Sequence, residues 1–238
     1  MNEAEPITVA CLDLAGTTVA DGDIVQTAFA EAIAALGIAA GTAASERALS
    51  RFRRSRGEST IGILRSLFDE PRARAAHLAF ERSYGRLVDR RGLRPVPGAD
   101  GALDRIRGAG IKICLISGFS RRLEARVLDA LDWWNRVDLT LCPEDVPRDR
   151  PYPDPVLTAA LRLGVDDVRG IAVCGDTAAA VHAGRRAGAS VVAGVLTGAH
   201  DRDRLRAAGA THILQSVAAL PELICPVPVG GTLTADHR

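Results

Sequence analysis

Lysine is almost missing from this chain. Of 30 basic residues, Lys112 alone is lysine and the other 29 are arginine, so any chemistry that needs an ε-amine has one position to draw on. A charge excess of one sign is missing too. The formal net charge is +1, which gives no argument for a nucleic-acid partner or an anionic membrane surface. Long apolar runs are absent: the stretch 111–116 is broken by Lys112 and falls far short of the ~20 residues of a membrane span. The five cysteines are scattered with no CxxC pair, which argues against zinc and redox motifs. Cys11, Cys114 and Cys174 lie in or at the end of apolar runs and are expected as buried free thiols. With the acidic start Met1-Asn2-Glu3-Ala4-Glu5, which does not read as a signal peptide, these absences predict a reducing, cytoplasmic location.

What is present is an ordinary globular composition, 47% hydrophobic and 25% charged over 238 residues, enough for one good-sized core with an insertion or for two domains. The stretch 7–12 reads as a buried strand. Apolar spacing at Val25, Phe29, Ile33 and Leu36 fits one helix face, and residues 24–36, 43–56, 60–68 and 71–90 all read as helical. Gly37 and Gly57 are plausible helix stops, and Pro71 suits a first turn. Beyond the turn-rich Pro95-Val96-Pro97-Gly98, helices at 99–108, 121–131, 154–163 and 179–187 alternate with strands at 111–116, 139–142, 171–174 and 190–195. That alternation predicts an α/β fold: a doubly wound, Rossmann-like parallel sheet covered on both faces. The expected division is a core over 1–19 and 95–225, an inserted helical cap over 20–94, and a flexible tail over 226–238.

In a parallel sheet, ligands bind just beyond the carboxyl ends of the strands. Asp13 stands there, followed by Ala15-Gly16-Thr17-Thr18, and later segments repeat the pattern of strand, then polar tip. Four segments in order resemble the four signature motifs of the haloacid dehalogenase superfamily: Asp13-Leu14-Ala15-Gly16-Thr17; Ser117-Gly118; Arg150-Pro151-Tyr152-Pro153-Asp154; and Gly175-Asp176-Thr177. The resemblance implies phosphoryl transfer on a small phosphorylated substrate. Asp13 would be the nucleophile, Ser117 and Gly118 would bind phosphate oxygens with Gly16 and Thr17, and Arg150 would neutralise the phosphoryl group. It also implies Mg²⁺ held by Asp13, Asp176 and the Ala15 backbone carbonyl, and is compatible with a homodimer made through the caps.

The departures narrow the branch. Ala15 stands where most family phosphatases carry a second Asp as general acid and base. With Ser117-Gly118-Phe119-Ser120-Arg121 and Arg150-Pro151-Tyr152-Pro153, this resembles the phosphonoacetaldehyde hydrolases, whose cap lysine forms a Schiff base with the aldehyde. The segment Arg56-Gly57-Glu58-Ser59-Thr60 resembles the lysine-bearing cap motif, yet Thr60 occupies the lysine position. Arg56 and Glu58 are candidate substrate contacts, and the Arg-rich segment 51–56 suits a second anionic group or a solvated helix face. Lys112 is expected at the far end of its strand from the site. Ala180 replaces a further Asp of the fourth motif. His77 and His182 read as ordinary helix-face histidines, and Trp133-Trp134 as packing at a helix end. The leading expectation is a Mg²⁺-dependent phosphohydrolase. Carbon–phosphorus hydrolysis, or a catalytically weak member that binds a phosphorylated ligand or a partner, stays open at this point.

Overall fold

The computed structural model describes residues 5–20 and 23–225. Six strands form one sheet in the order β5-β4-β1-β6-β7-β8, all pairs parallel: β1 (Val9–Asp13), β4 (Lys112–Ile116), β5 (Leu139–Leu141), β6 (Ile171–Gly175), β7 (Val191–Val195) and β8 (His212–Leu214). A two-residue antiparallel ribbon, β2 (Val19–Ala20) with β3 (Arg94–Pro95), ties the two chain crossings between the sheet and the helical insertion. Between them run α1 (Ile24–Ala34), α2 (Ala43–Arg54), α3 (Thr60–Arg65) and α4 (Glu70–Arg91); after them come α5 (Ala99–Gly108), α6 (Arg121–Leu131), α7 (Asp154–Leu163), α8 (Ala178–Ala187), α9 (Arg202–Ala207) and α10 (Leu220–Ile224). The ribbon, β8, α9 and α10 were not expected. They are short, and their few residues carry no readable period.

Side chains alternate across each central strand. Ala10 and Leu12 of β1, Ile113 and Leu115 of β4, and Ala172 and Cys174 of β6 face one apolar layer with α5, α6 and α10. Val9 and Cys11, Cys114 and Ile116, and Ile171 and Val173 face the other, with α7, α8 and α9. Strands buried on both faces read as continuous apolar runs, as a doubly wound sheet requires. The first layer continues into α1–α4 through Phe29, Phe52, Ile63 and Phe80, and Phe29 stacks on Phe52 with ring centroids 4.3 Å apart. The cysteines of the described residues are free, four of them buried. Trp133 is buried and donates to Asp100, while Trp134 is exposed. The expected tail over 226–238 lies outside the described residues. No described helix is long and apolar enough to cross a membrane.

Candidate active site

The site follows from strand order. The chain leaves β1 in both directions, to β4 and β5 on one side and to β6, β7 and β8 on the other, so β1 lies at the switch point where crossovers diverge and a crevice opens. Asp13 ends β1 in register with Ile116, and Ser117 follows directly. Asp176 follows β6, on the other side of β1. Three polar tips therefore stand side by side. They line a cavity of about 60 Å³ together with Ala15, Arg150 and Thr177 from the core and Val25, Phe52, Arg56, Glu58, Thr60 and Ile63 from the insertion.

Arg150 comes from the long loop after β5. Its Nη1 lies 2.6 Å from Asp13 Oδ1, with side chains only 4% and 7% exposed. Its Nε lies 3.4 Å from Asp149 Oδ1, so the guanidinium bridges two carboxylates. Asp149 was missed in the sequence; the signal was an acidic residue directly before the motif arginine. Its second oxygen, Oδ2, is buried with no hydrogen-bond partner. Burial pushes Asp13 up to about 7, against the pull of Arg150, with Asp176 and Asp149 adding to the rise. Burial opposes the charge of Arg150, but Asp13 and Asp149 hold its pKa above the ordinary value.

Asp176 is gripped from two loops. Its Oδ1 accepts from Thr17 Oγ1 at 3.1 Å and its Oδ2 from the Ala199 N–H at 2.8 Å. Gly16, at φ +82°, and Gly198 both press on this carboxylate, where a Cβ on either would collide with it. Thr17 and Gly16 thus stand behind Asp176 and not in the cavity wall. The segment after β7 was also missed: Thr197 Oγ1 donates to Gly16 O at 2.8 Å, and His200 Nδ1 accepts from the Ala178 N–H at 2.8 Å. Its signal was the same strand-then-polar-tip pattern, in Thr197-Gly198-Ala199-His200. Thr177, not Asp176, caps α8. Ala180 lies close against Gly175. Burial raises the Asp176 pKa, against the Ala199 amide, Arg56 and Thr17.

Gly118 is the seam between sheet and insertion. Its carbonyl accepts from the Thr60 N–H at 3.2 Å, and a Cβ on it would lie 2.9 Å from Glu58 O, closer than real side chains come. Ser117 Oγ accepts from the Phe119 N–H at 2.9 Å and caps no helix; Ser120 caps α6. Arg56 lies over the Phe52 ring, 5.6 Å from its centroid, and Glu58 is paired to Arg51 at 3.7 Å. His182 is not in the cavity wall. His77 lines a neighbouring cavity with Asp149, Ser59 and Ser120. Lys112 opens β4 at the end opposite Asp13, and its Nζ donates to Leu163 O at 2.9 Å.

The donors suit a hard cation. Two buried carboxylates face one cavity, and each resists ionisation because burial strips its water, Asp13 further because Asp176 is near. A cation between them would relieve that cost. No group of three or more His, Cys, Asp or Glu that could hold a metal exists among the described residues. That argues against a closed zinc site and fits Mg²⁺, which takes one or two carboxylates and keeps several waters.

A family model for haloacid dehalogenase-like hydrolases matches residues 7–188. A phosphonoacetaldehyde hydrolase of Bordetella pertussis is 33% identical over 157 residues, 56% of this chain and 57% of that protein. One of Pseudomonas paraeruginosa is 30% identical over 215 residues, covering 81% of this chain and 75% of its own. The chain thus matches little more than half the length of the Bordetella relative. Among solved structures, a phosphonoacetaldehyde hydrolase-like protein of Oleispira antarctica aligns with TM-score 0.79 at 25% identity, over 93% of this chain and 92% of that one. A hydrolase of Pseudomonas syringae gives 0.79 at 25%, over 91% and 97%. The family model's span takes in Asp13, Ser117, Arg150 and Asp176, and the chain belongs to the haloacid dehalogenase-like hydrolases, on their phosphatase- and phosphonatase-like side.

Proposed function

We propose that this chain is a Mg²⁺-dependent phosphohydrolase that cleaves a small phosphorylated metabolite through an aspartyl phosphate on Asp13. The observation that carries the reading is Arg150 Nη1 at 2.6 Å from Asp13 Oδ1 in a cavity shared with Ser117 and Asp176. Phosphoryl transfer needs an in-line nucleophile and fixed positive charge around the transferring oxygens. Arg150 holds Oδ1 and orients the carboxylate, leaving Oδ2 to attack phosphorus. The bond from phosphorus to the leaving oxygen breaks, and that oxygen takes the electron pair. Residue 15 has no carboxyl to protonate it, so the proton comes from water. A second water then attacks phosphorus, the bond to Asp13 breaks, and inorganic phosphate and the free carboxylate result. Ser117 and Gly118 bind phosphoryl oxygens in this scheme. Mg²⁺, when bound by Asp13, Asp176 and the Ala15 carbonyl, adds positive charge against the transferring oxygens. Residues 20–94, with α1–α4, act as a cap that excludes water.

The names of the curated relatives favour a second reading, carbon–phosphorus hydrolysis. An imine route requires an amine at the cap, and the one lysine is at the far end of the sheet. We therefore infer phosphate-ester hydrolysis as the main activity. The test is Mg²⁺-dependent phosphate release from a panel of phosphorylated metabolites, phosphonoacetaldehyde included, with Asp13→Ala as control. Asp13-dependent release from an ester class supports the reading. Release equal to the control overturns it, and an adduct trapped by borohydride with phosphonoacetaldehyde would favour the imine route.

A further inference from the structure

Residues 197–200, after β7, line none of the cavity wall, yet they touch both turns that carry its carboxylates. Thr197 Oγ1 donates to Gly16 O at 2.8 Å, in the turn that follows Asp13 and Ala15. Gly198 lies so close to Asp176 that a Cβ there would fall 2.0 Å from Oδ2. The Ala199 N–H donates to that same oxygen at 2.8 Å. His200 then holds the backbone on either side of Asp176. Its N–H donates to Asp176 O at 3.2 Å, and its Nδ1 accepts from the Ala178 N–H at 2.8 Å. Consecutive residues of one loop thus fix the turn after β1, the Asp176 carboxylate and the backbone around it.

The histidine ring is committed to this task. It is 6% exposed. Because Nδ1 accepts from a backbone amide it carries no proton there, so the neutral ring keeps its proton on Nε2. Nε2 is buried with no hydrogen-bond partner among the described residues. The ring's hydrogen bond therefore goes to Ala178, in the first turn of α8 and two residues past Asp176. Thr177 already caps α8 through the Ala180 N–H, so the helix start has a cap without the imidazole. A ring that leaves its own buried N–H unanswered is a poor device for stability; what it supplies is a fixed backbone beside Asp176. That geometry matters for a hard cation, because Mg²⁺ demands near-octahedral oxygen ligands at about 2.0–2.1 Å. Groups that orient a ligand without touching the metal typically change metal affinity by about 10- to 100-fold.

Resting on the phosphohydrolase reading, in which Asp13, Asp176 and the Ala15 carbonyl hold Mg²⁺, we propose that His200 is a positioning residue that sets Asp176 for the metal, with Thr197 setting the turn that carries Ala15. The test is calorimetric titration of Mg²⁺ alone into the full chain. His200→Ala should weaken Mg²⁺ binding by about 10-fold or more. His200→Asn should recover most of that loss, because its amide oxygen can accept the Ala178 N–H in place of Nδ1. Asp69→Ala removes the cap of α4, and should lower the melting temperature while leaving Mg²⁺ affinity unchanged. Equal affinity in native protein and His200→Ala, an equal loss in Asp69→Ala, or a loss that His200→Asn does not recover overturns the proposal. Should His200→Ala not fold, Thr197→Val carries the test at Gly16 O: a loss of about 10-fold is expected, and unchanged affinity overturns the proposal. Phosphate release from the native protein separates this proposal from the reading it rests on. Asp13-dependent release with Mg²⁺ affinity unmoved by these variants removes the positioning role alone. Affinity that depends on His200 without Asp13-dependent release keeps that role and overturns the hydrolase reading, and no Mg²⁺ binding by native protein overturns both.

Discussion

Two regions face each other across one cavity and are built on different terms. On the core side, Asp13, Ser117 and Asp176 stand at adjacent strand ends, and their positions follow from a sheet buried on both faces. On the insertion side, Phe52, Arg56, Glu58, Thr60 and Ile63 come from α2, α3 and the turn between them. That wall meets the core through the contact of Thr60 with Gly118 and the approach of Gly57, at φ +91°, to Thr177. Under the proposed function the core side carries the phosphoryl-transfer groups, with an alanine at position 15. The insertion side brings the Thr60 hydroxyl and the Arg56 guanidinium. Under the proposed function, bond breaking and choice of leaving group then sit on separate elements that can change independently, as expected where loops on a fixed scaffold carry function.

The sharpest way to break this division is Asp13→Asn. Phosphate release should fall by roughly a thousand-fold or more, as for loss of a covalent nucleophile; activity retained within tenfold would place the chemistry elsewhere. Next comes Arg150→Gln. Removing one partner of a buried ion pair costs about 3–5 kcal/mol, so the melting temperature should drop, and turnover should fall on the order of 100-fold. Arg150→Lys should recover part of the stability but little of the rate, since an ammonium cannot bridge Asp13 and Asp149 as a fork does. Asp149→Asn should lower kcat by roughly tenfold with a small change in KM, the loss of about 1–1.5 kcal/mol from one charged contact on the arginine.

A pH series sharpens the same contrast. The proposed mechanism requires ionised Asp13, whose pKa is raised to about 7, so kcat/KM at low Mg²⁺ should climb through that pH, and saturating Mg²⁺ should move the rise to lower pH. Stability has the opposite sign. The folded carboxyl binds its proton up to about 7, the unfolded one only to about 3.9. Between those values the folded state holds more protons, so the Asp13 contribution decreases as pH rises, by at most about 1.4 kcal/mol per unit. Thermal denaturation from pH 4 to 8, native protein against Asp13→Asn, reads this directly; identical profiles would refute a raised pKa. The smallest effect is expected from Lys112→Ala, at the opposite end of the sheet. Phosphate release should stay within about twofold, consistent with an exposed change away from the site. A large loss would return the amine to the chemistry.

Much of this was legible in the sequence because it rests on local pattern. Helices over 99–108, 121–131 and 154–163 stand as α5, α6 and α7 with the expected bounds, since Ser120, Pro155 and αL Gly164 mark ends in the chain itself. The core strands followed from apolar runs too short for helices. The edge strand β8 and the β2–β3 ribbon escaped because two or three residues have no period, and only pairing partners define them. In the site, Asp13, Ser117, Arg150 and Asp176 carried motif spacing. Asp149 and Thr197-Gly198-Ala199-His200 did not, because their roles are contacts made across long sequence separations.

Sequence alone determined an α/β chain with a helical insertion, its carboxylates at strand tips, and an insertion without lysine over 20–94, because residue type, period and composition are local and countable. Tertiary structure alone decided that Arg150 grips Asp13 and Asp149 together, that Thr17 and Gly16 serve Asp176 from behind, and that Arg56 and Thr60 close the far wall. Those facts depend on strand order and on the docking of the insertion at Gly118, which burial and long-range hydrogen bonding fix only once the chain has folded.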